Sequence, residues 1–399
     1  MAEQNQHAVA SRHDSGQSSA DALDELERKI READKPVQLL KAVEEVLALR
    51  TDSRRRVLEV LDAARQQVGR HGPKAERRLL GLIGRDLKAD EVGHDLIRHA
   101  RRVKQLSGIA SFRALIALRS RKRWLARREK RLDEWRLNNK RRAHLFMDRL
   151  DVRRPWISNK TFPMDKLKVR PGQTIKPATG NLGRGVYLVF AKDRIFHARH
   201  TRMLKSLTAM RRSMARELKT RRVPRDEWYL EELICGPQGM MEPAPDVKFY
   251  CFYGRVGLAR EISRHPEKLD QAWSREGEPI DSGLEFDPEK RFKGYGVSED
   301  EFQLAERISA AIPAPFIRID FLRSADGLVF GEFTPRPGSF ARFLREVDRH
   351  LGDLFLEAEA RLHQDLLDGK SFRTFIEHVA PEGDGKPAGV IHRIRSYFR

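Results

Sequence analysis

The chain has 399 residues, 40% of them hydrophobic, so it is long enough for two or three domains and for a sizeable core. No apolar run approaches the ~20 residues of a transmembrane helix, and two cysteines, Cys235 and Cys251, are too few for a disulfide framework and fit a reducing cytoplasm. The formal net charge of +20 is concentrated, because residues 101–150 hold 17 Lys and Arg against 4 Asp and Glu.

The N-terminal part of the chain is predicted to be helical after a short polar lead. Residues 1–22 are polar and lack the apolar core of a signal peptide, which predicts disorder. Over residues 23–150 apolar residues recur at helical spacing, with breaks expected at Thr51–Ser53 and His71–Pro73. This pattern predicts an all-α region, either a degenerate tetratricopeptide-like array of helical hairpins or an irregular bundle.

The basic block at residues 101–150 predicts binding to an anionic partner outside any catalytic core. The candidates are an acidic polysaccharide, a lipid-linked precursor and the inner membrane surface. A solvated helical arm whose charge only aids solubility is the alternative. Nucleic acid is disfavoured, because aromatic residues are not regularly interleaved with the basic ones.

Residues 155–171 are predicted to be a loop-rich entry with strand fragments, and from about Gly172 the pattern becomes α/β, with a glycine-rich turn as its first chemical signal. Lys176 ends one predicted strand, the glycines Gly180, Gly183 and Gly185 follow, and a second apolar strand begins at Val186. Glycines let backbone N–H groups close around phosphate oxygens, and a nearby lysine adds a positive charge. The segment lacks GK[ST] and is followed by a strand, so it is neither a Walker loop nor a dinucleotide fingerprint. It predicts a phosphate-covering hairpin, with an ordinary flexible surface hairpin as the alternative.

A second hairpin is predicted from the segment FIRIDFLRSADGLVFGEFTPRPGS, in which apolar and polar residues alternate on either side of a turn. We expect a three-residue loop at Ala325–Gly327, with the glycine in the left-handed conformation. This loop would pair Ser324 with Leu328. Counting back from that pair places Asp320 opposite Glu332, with about 5 Å between their Cβ atoms.

Two carboxylates this close repel each other unless a cation or a proton lies between them. Thr334 would point the same way and offers another oxygen. Hard oxygen ligands on a rigid hairpin suit Mg²⁺, which one or two carboxylates usually hold together with phosphate oxygens. Asp320, Glu332 and Thr334 are therefore predicted magnesium ligands. The alternative is a half-exposed hairpin whose charges face water.

The order of these segments resembles that of the ATP-grasp superfamily, and in particular its TupA-like branch, associated with teichuronopeptide and other surface-polysaccharide biosynthesis. The resemblance covers residues 159–365, and PDVKFYCFYG, residues 245–254, is its most branch-specific part. It implies an α/β (α+β) ATP-grasp fold preceded by the all-α region. The implied parts are a nucleotide-binding lobe over 151–235, a metal-binding lobe over 236–370 and a basic tail over 371–399.

The resemblance also implies roles for individual residues. Lys176 and the loop glycines would hold the phosphates of ATP, and WYLEELI, residues 228–234, would be the hinge strand that binds adenine, with Glu231, Glu232, Leu233 and Ile234 as its candidates. Asp320 and Glu332 match the metal-binding carboxylates, whereas Thr334 stands where most ATP-grasp enzymes have asparagine.

Further cations are needed for the nucleotide and the acyl group. Arg318 stands beside the first carboxylate, and with Lys176 it would neutralise the charge of the phosphates and of the reaction intermediate. Among three candidates for a second nucleotide-binding lysine, Lys160, Lys166 and Lys168, we favour Lys160. Lys248 is assigned to nucleotide or acyl-substrate contact, with a surface ion pair to Asp246 as the alternative.

The function implied is that of a cytoplasmic ATP- and Mg²⁺-dependent carboxylate–amine ligase that forms an acylphosphate. Its substrates would be a small-molecule carboxylate and an amine or sugar acceptor, and its product a surface polysaccharide or peptide polymer that carries an amino acid. Two alternatives stay open: an ATP-dependent sugar or polyol kinase of the same fold, and a non-catalytic scaffold with a vestigial ATP-binding half. The basic block allows peripheral binding at the inner membrane face.

Overall fold

The structure is a computed structural model that describes residues 21–88, 91–92, 97, 109–125, 133–179, 183–239, 242–284, 294–338 and 340–379. Most of the predicted disordered lead and most of the predicted basic tail lie outside these residues. The chain forms two compact units, Met1–Leu106 and Ser107–Arg399. Among the described residues, no helix is long and apolar enough to cross a membrane.

The described part of the first unit is helical. Residues 21–31 are followed by helix α1 (Pro36–Val68), a 3₁₀ turn (Gly69–His71) and helix α2 (Pro73–Asp86). The predicted stop before α2 is confirmed, since Gly72 has a φ of 85° and Pro73 begins the helix. The predicted break at Thr51–Ser53 is wrong: α1 runs through it, and the Thr51 hydroxyl donates to the Leu47 carbonyl at 2.8 Å.

Over the described residues between 109 and 149, two helices of the second unit pack into its main core. They are α3 (Phe112–Leu125) and α4 (Lys140–Arg149), separated by a 3₁₀ segment at Asp133–Asn138. They bury the core residues Phe112, Ile116, Phe146 and Met147. The division after Leu106 thus differs from the expected boundary at 150, and the described part of the basic block does not lie outside this core. The reason is that α3 and α4 each have an apolar face that packs into the core, which a count of charged residues does not detect.

The first sheet has five antiparallel strands in the order β4-β3-β2-β1-β5. The strands are β1 (Gln173–Pro177), β2 (Tyr187–Ala191), β3 (Arg194–His197), β4 (Arg202–Leu204) and β5 (Trp228–Glu232). Helix α5 (Leu207–Lys219) begins at Ser206, whose hydroxyl accepts from the Ala209 N–H at 3.1 Å. Its buried residues Met210 and Met214 join the core of this sheet.

The second sheet has six antiparallel strands in the order β11-β10-β6-β7-β8-β9. They are β6 (Asp246–Cys251), β7 (Val256–Ser263), β8 (Leu269–Trp273), β9 (Pro279–Ile280), β10 (Ile317–Ser324) and β11 (Gly327–Thr334). The helices of this part are α6 (Glu299–Ala310), α7 (Arg345–Leu367) and α8 (Arg373–Val379). One face of the sheet packs its aromatic side chains into the main core, and the other carries charged residues.

Candidate active site

The carboxylate pair predicted from the sequence is present on the second sheet. Asp320 on β10 and Glu332 on β11 are directly opposed partners of the antiparallel ladder. The expected turn is wrong, however, because Ser324 pairs with Gly327 and the loop has two residues rather than three. A β-bulge between the turn and the carboxylates compensates for this one-residue difference.

The bulge places one extra residue on β11. Phe321 pairs with Phe330 and Asp320 with Glu332, so Gly331 has no residue opposite. Without this extra residue Asp320 would oppose Gly331, and the side chain of Glu332 would turn to the core face. A Cβ atom on Gly331 would lie 3.0 Å from the Asp320 carbonyl oxygen, so glycine suits this position. The bulge therefore brings both carboxylates to one face.

Asp320 is buried and already neutralised by two cations of the protein. Arg318 donates from Nε to Oδ1 and from Nη2 to Oδ2, both at 2.7 Å, and Lys248 donates to Oδ2 at 2.8 Å. Burial alone would raise the pKa of Asp320, but the charges of Arg318 and Lys248 outweigh it and hold the pKa below its ordinary value. The carboxylate stays ionised in the interior.

Lys248 links this carboxylate to a second one on β6. It is the ladder partner of Asp320 and also donates to Asp246 Oδ1 at 3.3 Å. Burial lowers the pKa of Lys248, but the charges of Asp246 and Asp320 outweigh this effect and raise the pKa overall, so the ammonium stays charged. Arg264 donates to the other oxygen of Asp246 at 2.6 Å. The predicted pairing of Lys248 with Asp246 is present, but within a buried network rather than at the surface.

The other two predicted metal ligands, Glu332 and Thr334, are more exposed to solvent than Asp320. Glu332 is exposed, and the Thr334 hydroxyl accepts from Arg318 Nη2 at 3.1 Å. Asp320 accepts three hydrogen bonds, while a carboxylate has about four lone-pair sites. It therefore keeps about one lone-pair site that these bonds do not use, and Glu332 is its ladder partner. This donor set of hard oxygens fits Mg²⁺.

The glycine-rich segment connects β1 to β2 on the first sheet. Gly180 lies outside the described residues, whereas Gly183 and Gly185 adopt left-handed conformations with φ of 71° and 67°. At Gly185 a Cβ atom would lie 2.8 Å from Val223 Cγ2 and 3.0 Å from the Trp228 ring. Both the positive φ and the close packing therefore require glycine at this end of the loop.

A second charge cluster lies at the first sheet and the start of α4. Lys176 at the end of β1 donates to Glu231 Oε1, and the Lys140 ammonium lies 3.9 Å from Glu231 Oε2. Burial raises the pKa of Glu231, but Lys176 and Lys140 outweigh it and lower the pKa overall. The pKa of Lys140 is lowered by burial and by Lys176, in part offset by Glu231 and Glu332.

His144 lies one helical turn after Lys140, on the same face of α4. It is buried, and its Nδ1 atom has no hydrogen-bond partner among the described residues. Burial, with the nearby charge of Arg154, lowers its pKa to about 4. The imidazole is therefore neutral at physiological pH.

Sequence reasoning missed Lys140 and His144 and favoured a different lysine. Lys160 is exposed, and its ammonium lies 5.6 Å from the centroid of the Phe162 ring. The structure brings Lys140, and not Lys160, to Glu231. The sequence did contain a signal for these two residues, because they lie four positions apart just after Asn139, a residue type that favours a helix N-cap. In the structure the Asn139 side chain accepts from the Arg142 N–H at 3.3 Å and caps α4.

The predicted hinge strand includes β5, and backbone hydrogen bonds are formed along both edges of this strand. The backbone of Trp228 exchanges hydrogen bonds with Phe162, and the Leu233 N–H donates to the Gly172 carbonyl at 3.0 Å. Glu232 accepts from Arg153 Nη2 at 2.5 Å. Ile234 is buried in a small apolar cluster with Ala244 and with Val329 of β11. These contacts occupy several of the backbone atoms expected to face adenine.

Comparison with known proteins gives one family match. The sequence model of the family described as "TupA-like ATPgrasp" matches residues 120–356. This range includes α4, both sheets and every residue assigned above to the two charge clusters. No curated protein matches the chain.

Solved structures of ATP-grasp ligases are similar to the chain at low identity. One is PsnB complexed with a minimal precursor, at 14% identity over 57% of this chain and 62% of that chain, with a TM-score of 0.31. Two others are D-alanine-D-alanine ligases. The Helicobacter pylori protein has 14% identity over 57% of this chain and 58% of its own, with a TM-score of 0.31. The Bacillus anthracis protein has 11% identity over 57% and 69%, with a TM-score of 0.34. The chain therefore spans less than two thirds of the length of PsnB and of the Helicobacter pylori ligase.

Proposed function

Because the chain belongs to the TupA-like ATP-grasp family and has the ATP-grasp fold, we propose that it is an ATP- and Mg²⁺-dependent ligase that joins a carboxylate to an amine. The observation that carries the proposal is the position of Lys140. Its ammonium lies 3.9 Å from Glu231 Oε2 on β5, and the charges of Glu231 and of Glu332 on β11 both act to raise its pKa. We infer that the residues that would bind phosphate lie near those that would bind metal, so that fixed cations and the metal could stabilise phosphoryl transfer together.

In the proposed reaction a substrate carboxylate attacks the γ-phosphate of ATP, releasing ADP and forming an acylphosphate. An amine then attacks the acyl carbon and releases phosphate, so that an amide remains. Asp320 and Glu332 would hold Mg²⁺, with Thr334 or a water as a further ligand. The bound metal would neutralise charge on the phosphate oxygens.

The protein's own cations supply the rest of the electrostatic stabilisation. Lys176 and Lys140 would bind phosphate oxygens, since both ammonium groups already converge on the buried Glu231 carboxylate. Arg318 and Lys248 would stabilise the charge of the acylphosphate. The loop that carries Gly183 and Gly185 would cover the phosphates and exclude water, which would otherwise hydrolyse the intermediate.

The acceptor that we propose is a surface polysaccharide or peptide polymer, modified with an amino acid on the cytoplasmic side. This setting rests on the resemblance to the TupA-like branch alone. Helix α3 offers an anionic partner the exposed residues Arg121 and Trp124, whose guanidinium carbon and ring centroid lie 4.6 Å apart. If α3 binds such a partner, charge reversal at Arg121 will reduce salt-sensitive binding to anionic vesicles or polymer and leave ATP turnover on small substrates unchanged.

The function is tested by incubating the protein with ATP and Mg²⁺ against amino acids and uronic-acid sugars and identifying the products by mass spectrometry. ADP formed together with a new amide supports the ligase. An acid-stable phosphate on a sugar product would identify a kinase instead. ATP binding without ADP formation on any acceptor pair, in protein that is folded, would favour a scaffold.

A further inference from the structure

The first sheet carries a cluster of metal-binding residue types that the proposed reaction does not use. His197 ends β3, His200 lies in the turn between β3 and β4, and Glu217 lies on α5. Each residue offers a ligand atom, and the three atoms lie within 4.8 Å of one another. Among the described residues, this is the only such group of three or more histidine, cysteine or acidic side chains.

Two residues of this cluster are buried, and their mutual contact leaves one polar atom of each side chain without a hydrogen-bond partner among the described residues. His197 is fully buried, Glu217 is 4% exposed, and His197 Nε2 lies 3.2 Å from Glu217 Oε1. The other polar atom of each side chain, His197 Nδ1 and Glu217 Oε2, has no hydrogen-bond partner among the described residues. A buried carboxylate with one partner is costly, because desolvation is repaid only by full pairing or by a metal.

A cation bound by all three residues would lie between His197 Nε2 and Glu217 Oε1, replace their direct contact and neutralise the buried carboxylate. The 3.2 Å separation of His197 Nε2 and Glu217 Oε1 is close to the ~3.3 Å edge of a tetrahedron with metal–ligand bonds of about 2.0–2.1 Å. Two imidazoles and one carboxylate suit Zn²⁺ better than Mg²⁺, which prefers oxygen ligands and keeps several waters.

Charged side chains near the cluster act in both directions. Arg202 and Arg222 add positive charge nearby, which opposes a cation. Glu217 compensates for part of this charge as an anionic ligand, and imidazole binds a metal in its neutral form.

We propose that His197, His200 and Glu217 form a zinc site separate from the magnesium ligands of the active site. The metal would tie the turn between β3 and β4 to helix α5. That turn contacts the end of the glycine-rich loop, because the Ala198 N–H donates to the Val186 carbonyl at 3.0 Å. Zinc binding would therefore hold the base of the loop in place.

The test uses the full chain, stripped of metal with a chelator and kept in excess Mg²⁺ so that Zn²⁺ does not compete for the carboxylate site. Zn²⁺ is titrated calorimetrically, and Co²⁺ is used as a visible-spectrum probe of the coordination geometry. The variants are His200→Ala, at an exposed position, and Glu217→Gln, which keeps the side-chain size. His350→Ala, at an exposed histidine on α7, is the matched control.

We expect wild type and the control to bind one equivalent of Zn²⁺ and to melt at a higher temperature with it. His200→Ala and Glu217→Gln should weaken binding at least tenfold, because loss of even an outer-shell partner costs 10–100-fold. Co²⁺ should give tetrahedral absorption bands in wild type and lose them in His200→Ala. Folding of each variant is verified by its melting transition without zinc. Equal zinc affinity in all four proteins, or a wild type that binds no stoichiometric zinc, would overturn the proposal.

Discussion

At the scale of single residues, the two opposed carboxylates have different environments and hence different roles. Asp320 is 3% exposed and held by Arg318 and Lys248, whereas Glu332 is exposed. Breaking a buried ion pair typically costs 3–5 kcal/mol, so substitution of Asp320 confounds folding with catalysis. Glu332 is the cleaner position at which to test metal binding.

Glu332→Gln should lower Mg²⁺-dependent ATP turnover by orders of magnitude while leaving the unfolding free energy nearly unchanged. The amide keeps the size but loses the negative charge, and a catalytic metal supplies several kcal/mol of transition-state stabilisation. ADP release is measured as a function of Mg²⁺ concentration. Asp326→Asn makes the same charge change in the exposed turn of this hairpin and serves as the control. Equal turnover in the two variants would remove Glu332 from the metal site.

The assignment of the second nucleotide-binding lysine can be tested in the same way. Lys140→Ala should weaken ATP binding by about 10- to 150-fold, because it removes a charged hydrogen bond worth about 1.5–3 kcal/mol. ATP should then raise the melting temperature less than in wild type. Lys160→Ala, at the exposed lysine beside Phe162, should leave the shift unchanged. The reverse result would restore the assignment expected from the sequence.

His144 should make stability depend on pH in the mildly acidic range. Its pKa is about 4 in the folded protein and ~6.5 in an unfolded chain, so the unfolded state takes up the proton first. The unfolding free energy should therefore be highest above pH 6.5 and fall as the pH decreases towards 4. Denaturant unfolding across this range measures the slope. His144→Leu should flatten it, whereas His350→Leu at an exposed histidine should not.

At the scale of elements, the hairpin of β10 and β11 reaches the expected pairing by an unexpected route. The two-residue turn moves the register by one position, and the bulge at Gly331 moves it back. Because side chains alternate along a strand, either feature alone would put Glu332 on the core face. The alignment of the two proposed metal ligands thus depends on a residue with no side chain.

Gly331→Val should disturb this register. The added Cβ would lie 3.0 Å from the Asp320 carbonyl oxygen, so the backbone of one strand must shift. Overpacking of this kind typically costs about 1–3 kcal/mol. We expect a lower melting temperature and a higher Mg²⁺ requirement for ATP turnover. Gly338→Ala, which has open space around its Cβ position, is the control. A Gly331→Val variant with wild-type metal dependence would contradict a role for the bulge.

At the scale of the whole molecule, the boundary between the two compact units should decide which truncations fold. A protein lacking residues 1–106 should keep its melting transition and its stabilisation by ATP. Removal of residues 1–150 also removes Phe112, Ile116, Phe146 and Met147 from the core. At about 1.5–3 kcal/mol for each buried side chain, this loss is comparable with the whole stability of a typical protein. Thermal unfolding distinguishes the two cases, and a folded protein lacking residues 1–150 would contradict the observed core.

The sequence by itself determined the features that depend on local pattern. Alternation along β10 and β11 and the glycine positions in the loop after Lys176 indicated the hairpin, its two carboxylates and the ATP-grasp family. The pairing of Asp320 with Glu332 came out right because the unpredicted bulge cancels the error in the predicted turn. Strand period and the presence of a turn are properties of a few consecutive residues, so they can be read without a partner surface.

Only the tertiary structure decided which distant residues meet. It brought Lys140 to Glu231 and buried Phe112 under the second sheet, although charge alone suggested a separate basic arm. It also joined His197 and Glu217, which lie 20 positions apart. Such contacts depend on how helices and sheets pack, and no short-range pattern encodes them. Burial then changes the chemistry, because the same side chains titrate and pair differently once water is removed.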